Sequence, residues 1–181
     1  ALPIWLRHLL ISMGGVDTVD ATSDVLSALR TASLPKGLRI TVIMGSAAPA
    51  LERVRELARH MPWPTEVAVD VSDMAARMSA ADLAISAGGG TTWERCCLGL
   101  PSIIVEVARN QAGIAGVLNV AGAALDPGPL GSGEFRRNLR EAIDEASNPQ
   151  RLDTLAENAA TVCDGAGAWR VAKTLTEGVL S

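Results

Sequence analysis

Along this chain, short unbroken apolar runs alternate with segments whose apolar positions recur every three or four residues. The first pattern is that of strands buried on both faces, the second that of helices with one buried stripe. Strands are predicted at His8–Met13, Arg39–Met44, Glu66–Val69, Asp82–Ala87 and Ser102–Val107, with a short sixth at Gly122–Leu125. Between them the periodicity predicts helices over Ala21–Ala32, from Pro49 to near His60, and over Ser72–Ala80, Thr92–Leu98 and Gln111–Ala121. Pro49 is placed in a first turn, where its missing N–H has no intrahelical partner to lose. From about Ser132 the chain reads as helical, with breaks near Asn148-Pro149 and Asp164-Gly165.

Strands joined by helical crossovers imply a parallel sheet covered on both faces, because such crossovers are right-handed. The expected fold is α/β, a doubly wound parallel sheet with strand order 3-2-1-4-5-6. No linker, repeat or low-complexity segment divides residues 1–181, so one domain is expected. Pro127-Gly128-Pro129-Leu130-Gly131 is the most loop-like segment and joins the sheet to the last helices.

In such a sheet, ligands bind beyond the carboxyl ends of the strands, where the strand order reverses. The reversal falls between the first and fourth strands, and a glycine cluster follows each: Gly14-Gly15 and Gly88-Gly89-Gly90. Glycine adopts positive φ and carries no bulk, so a phosphate can approach backbone amides at a helix start. Each cluster alone is equally a tight strand-to-helix turn; together at the switch point they point to a phosphate site. In Thr91-Thr92-Trp93-Glu94, the Thr91 and Glu94 spacing fits a capping box. It also fits a carboxylate at the mouth of the site accepting from two ribose hydroxyls, and the local pattern does not separate the two.

Composition narrows the ligand. The net charge is −4, with no clustered Lys and Arg, so no nucleic-acid surface is marked. A bound anion is therefore expected to rest on backbone amides and helix ends, without help from lysine or arginine. The three cysteines, Cys96, Cys97 and Cys163, lack the spacing of a disulfide framework or zinc site, which suits a cytoplasmic protein with no metal. No apolar run approaches the roughly 18 residues of a membrane span. The opening Ala1-Leu2-Pro3-Ile4-Trp5-Leu6 has no signal-peptide pattern and no initiator methionine, so a fragment of a longer protein is expected. His8, His60, Cys96, Cys97 and Trp93 read as structural, and Asp17 and Asp20 as caps of the first helix.

Residues 82–111, through Ala87-Gly88-Gly89-Gly90-Thr91-Thr92-Trp93-Glu94-Arg95-Cys96-Cys97-Leu98-Gly99-Leu100-Pro101 to Asn110-Gln111, resemble the nucleotide-sugar hydrolase of pseudaminic-acid biosynthesis. More loosely they resemble the C-terminal domain of the N-acetylglucosaminyltransferase that makes lipid II. Ile11-Ser12-Met13-Gly14-Gly15-Val16-Asp17 is similar to the opening of that domain, and Asp164-Gly165-Ala166-Gly167-Ala168-Trp169-Arg170 to its closing helix. The resemblance implies a Rossmann-like domain, the C-terminal half of a GT-B architecture, that binds UDP or a UDP-sugar and needs no cofactor. It implies that Gly14, Gly15, Gly89, Gly90, Thr91 and Thr92 approach the diphosphate, and that Glu94 takes the ribose. Val71 would read the uracil edge with its backbone, while Asn110 and Gln111 would face the sugar and the pyrophosphate. Where the lipid II enzyme has an aromatic residue beside the base, this chain has Asp70. The hydrolase's catalytic histidine belongs to an N-terminal domain with no counterpart here, so the catalytic base is expected in that domain. The leading expectation is thus the nucleotide-binding domain of a UDP-sugar hydrolase of surface-polysaccharide or nonulosonic-acid biosynthesis. The alternatives are the donor domain of a GT-B glycosyltransferase and a non-catalytic nucleotide sensor.

Overall fold

The computed structural model describes residues 4–178, so the opening residues 1–3 fall outside it. Six parallel strands form one sheet in the order β3-β2-β1-β4-β5-β6. They are β1 (His8–Ser12), β2 (Arg39–Met44), β3 (Thr65–Val69), β4 (Leu83–Ala87), β5 (Ser102–Val105) and β6 (Ala124–Leu125). The two innermost pairings run in register from Leu9 with Leu83 to Ser12 with Ser86, and from His8 with Arg39 to Ile11 with Val42. Leu9, Leu10 and Ile11 are buried with Ile85, Ile103 and Ile104, because helices cover both faces. That is the physical reason these strands are apolar runs rather than alternating patterns.

The crossover helices are α1 (Ala21–Leu29), α2 (Leu51–Arg59), α3 (Met74–Ser79), α4 (Thr91–Cys97) and α5 (Ala112–Val120). Three helices close the chain: α6 (Phe135–Ala146), α7 (Pro149–Val162) and α8 (Gly167–Gly178). The helix starts depart from expectation in ways that matter below. Pro49 does not open α2, whose cap is Ala50; the favoured proline position is filled instead by Pro149 in α7, where the Asn148 side chain accepts from the Arg151 amide. β5 stops at Val105, after which Glu106 makes an isolated bridge with Pro129. A 3-10 turn over Arg109–Gln111 precedes α5. Trp93, expected in the core, is 44% exposed.

Asp17 behaves as the sequence suggests, its carboxylate accepting from the amides of Ala21 and Thr22 at 2.9 Å each. Buried in this way, it caps the start of α1. Asp20 heads α1 without a side-chain cap and pairs with Arg53 at 3.0 Å.

Candidate nucleotide site at the switch point

The loops after β1, β2, β3 and β4 converge over the carboxyl end of the sheet around a cleft of about 260 Å³. Gly14 and Gly15 line one side, Gly89 and Thr91 another, and Val71 a third. Residues from both predicted glycine clusters are therefore brought together, along with the position proposed to meet a base. Ser12, Gly45, Asp70 and Met74 complete the wall.

Gly45 is a part of this wall that no glycine cluster in the sequence marks. Its amide donates to the Gly15 carbonyl at 2.8 Å, which staples the β2 loop to the β1 loop. A Cβ on Gly45 would lie 2.4 Å from that same oxygen, so no side chain fits. Gly14 has φ +97, a conformation that only glycine adopts without strain. Asp70, with φ +50, is the next tie: its carboxylate accepts from the Ser46 amide at 2.9 Å. Hydrogen bonding by Ser46, through its side chain first and its amide second, holds the Asp70 carboxyl below the usual carboxylate range.

The loop after β4 is packed from behind. A Cβ on Gly88 would meet Gln111 Cβ at 3.2 Å and Ile104 Cγ2 at 3.3 Å, so the 3-10 turn sits against the glycine loop. Gln111 holds that turn by accepting from the Val107 amide at 3.2 Å. Asn110 is exposed, and neither it nor Gln111 reaches the lining of the cleft.

The helix that follows does not begin with a capping box. Gly90 is the cap, α4 starts at Thr91, and no side chain caps it. The Thr91 hydroxyl instead accepts from Arg95 Nη1 at 3.1 Å, and Thr92 accepts from Arg95 Nη2 at 3.0 Å. The Glu94 carboxylate is left exposed, without a hydrogen-bond partner among the described residues. Thr92 departs from its expected role: its amide donates to the Gly89 carbonyl at 3.0 Å and its side chain is buried. The amides of Gly89, Gly90 and Thr91, by contrast, donate to no carbonyl among the described residues. Three N–H groups without a carbonyl acceptor at the positive end of a helix suit a phosphate, and Glu94 stands one turn away.

The cysteines lie off this cleft. Cys96 is buried; Cys97 is exposed and its thiol meets that of Cys163 at 3.1 Å. Among the described residues no cluster of His, Cys, Asp or Glu could hold a metal, and no helix is long and apolar enough to cross a membrane.

This sheet order, with a cleft at its switch point, defines a Rossmann-like domain of the kind found in GT-B glycosyltransferases. Residues 11–125 match the model of the glycosyltransferase family 28 C-terminal domain, and the chain belongs to that family. Spore coat polysaccharide biosynthesis protein SpsG of Bacillus subtilis (strain 168) is 31% identical over 175 residues, 94% of this chain and 50% of that protein. A UDP-N-acetylglucosamine--N-acetylmuramyl-(pentapeptide) pyrophosphoryl-undecaprenol N-acetylglucosamine transferase of Rhodopseudomonas palustris (strain BisB5) is 34% identical over 119 residues, 62% of this chain and 32% of that enzyme. The chain thus spans half or less of the length of these relatives. Among solved structures, Acinetobacter baumannii MurG superposes with a TM-score of 0.77 at 20% identity, over 95% of this chain and 52% of MurG. The S. aureus MnaA–UDP complex superposes with a TM-score of 0.71 at 16% identity, over 96% of this chain and 46% of MnaA. The hydrolase expected from the TTWERCCLGLP segment finds no support in these matches, and the transferase alternative fits them better.

Proposed function

We propose that this domain is the donor-binding half of a two-domain GT-B glycosyltransferase of surface-polysaccharide synthesis, and that its donor is a UDP-sugar. The observation that carries the reading is the meeting of the Gly14-Gly15 and Gly89–Thr91 loops around one cleft, with unpaired amides on the second. In this reading the diphosphate lies against those amides, Glu94 accepts from the ribose hydroxyls, and the backbone of Val71 faces the base. An acceptor hydroxyl, delivered by the N-terminal half, attacks the anomeric carbon as its bond to the diphosphate oxygen breaks, its proton passing to a base of that half. Charge then grows on the departing UDP, where fixed N–H dipoles stabilise it most. Family membership, the polysaccharide role in the name of SpsG and the UDP-sugar named for the R. palustris transferase all support this assignment.

Calorimetric titration of the 181-residue chain with UDP, CDP and ADP tests it. UDP is expected to bind most tightly, and Glu94→Ala to weaken it by roughly 1–3 kcal/mol, the range for losing hydrogen bonds to a charged group. Glu94 caps nothing but is acidic in the first turn of α4, so the same substitution costs no more than roughly 0.3–1 kcal/mol of stability. Equal affinity for the three nucleotides, or an unaltered Kd in the Glu94→Ala variant, overturns the assignment.

A further inference from the structure

Arg95 is 2% exposed, and its guanidinium is held by hydroxyls alone: Ser102 from Nε at 3.1 Å, Thr91 from Nη1 at 3.1 Å and Thr92 from Nη2 at 3.0 Å. No carboxylate pairs with it among the described residues. A buried charge is ordinarily paired, because desolvation without a counter-charge is expensive. Burial lowers the pKa of this group to about 10, so it still carries its proton at neutral pH. The side chain also reaches back toward the start of α4, where the helix N–H groups are already positive. Thr91, which it grips, lines the cleft and has an unpaired amide.

We infer that Arg95 is the buried counter-charge of the ligand's diphosphate, acting from behind the cleft wall through Thr91 and Thr92. The inference rests on the donor-site reading above and adds to it a positioning residue. The hydrogen-bond partners of the guanidinium are all neutral, and Glu94 acts on it only through space; a seated diphosphate supplies negative charge one side chain away. Arg95 also fixes the threonine hydroxyls, so that the Gly89–Thr91 amides keep their aim. In this arrangement the cation lies under the loop instead of on the surface.

The test compares uridine, UMP and UDP on the wild-type chain, Arg95→Met and Arg95→Lys, by calorimetry and by NMR shift titration for the weaker ligands. Arg95→Met is expected to bind uridine as wild type does, within about twofold, and UDP at least about tenfold more weakly, as for removal of one partner of a close charge pair. Its ligand-free Tm equals or exceeds that of wild type, since an apolar side chain replaces a buried, unpaired cation. Arg95→Lys keeps the charge but not the fork, and retains most of the preference for UDP over uridine. If Arg95→Met loses uridine and UDP in equal proportion, or Arg95→Lys behaves like Arg95→Met, the arginine merely holds the loop and the inference fails. If Arg95→Met binds UDP like wild type, the inference fails while the donor site stands. A wild-type chain that does not prefer UDP to uridine removes both.

Discussion

The two ends of the sheet treat their polar groups in opposite ways. At the amino end, the chain satisfies itself. Asp82 accepts from the amides of Arg7 and His8 at 2.9 and 2.8 Å, so the entries of β1 and β4 are tied together. The buried His8 ring spans from the Ala80 carbonyl, 2.8 Å from Nδ1, to the Thr41 hydroxyl, 2.9 Å from Nε2. Arg39 Nη2 also lies 3.2 Å from Nδ1, so the ring has polar neighbours at both nitrogens. At the carboxyl end the accounting stays open. The amides of Gly89, Gly90 and Thr91 have no acceptor, Arg95 has no carboxylate, and buried Ser86 Oγ, Thr22 Oγ1 and Ser23 Oγ have no partner among the described residues. Native proteins leave few buried polar groups unpaired, so a concentration of them at one end marks where a ligand is to be expected. A polar residue closing a local circuit is structure; a polar group left over is a candidate for function.

The contrast can be broken most directly at Gly45. Gly45→Ala would put a methyl 2.4 Å from the Gly15 oxygen, so the two loops must separate. The expected cost is roughly 1–3 kcal/mol of stability, in the range for overpacking. UDP affinity should also fall at least about tenfold, equivalent to 1.4 kcal/mol. Calorimetry beside thermal unfolding reads both. If Gly45→Ala destabilises the chain but binds UDP normally, the carboxyl-end loops are not one site. His8→Ala is the complementary case. It strands the Ala80 carbonyl and the Thr41 hydroxyl and should lower stability by roughly 1–3 kcal/mol. Nucleotide affinity in the folded protein should not change, because His8 is at the far end of the sheet from the cleft. A shift in Kd would show that the two ends are coupled and that the division drawn here is wrong.

Much of this was legible in the sequence, for a physical reason. Parallel strands buried on both faces are mostly apolar, so β1, β2, β4 and β5 announce themselves as Leu9–Ile11, Ile40–Met44 (broken only by Thr41), Leu83–Ile85 and Ile103–Val105. Chirality then fixes the topology, and the glycine clusters mark the switch point. What escaped was non-local or competitive. The need for glycine at position 45 comes from the Gly15 carbonyl on a neighbouring loop, which no local pattern contains. The capping-box spacing from Thr91 to Glu94 competes with Arg95, one residue further on, and the guanidinium takes the threonine hydroxyl. A signal was present there: Thr92, Arg95 and Cys96 follow the three- and four-residue spacing of a buried stripe, which places the arginine inside.

The finest distinction concerns Asp70, the one acidic residue in the cleft lining. It is exposed and yet ties Ser46 to the β3 loop, so it belongs in part to each kind of region. Removing its charge should help an anionic ligand slightly. Asp70→Asn keeps an acceptor for the Ser46 amide and is expected to tighten UDP binding roughly twofold at low salt, with the gain fading as ionic strength rises. The sign of its pH dependence follows from the direction of its shift. Ser46 lowers the folded-state pKa beneath 3.8, so the tie is complete above that value and is lost as pH falls through the folded pKa. The amide proton of Ser46 should therefore titrate with a midpoint below 3.8 and lose that titration in Asp70→Asn. A midpoint at or above the ordinary carboxylate value would mean that Asp70 is free to face the ligand, and the β2 and β3 loops would then need some other clasp.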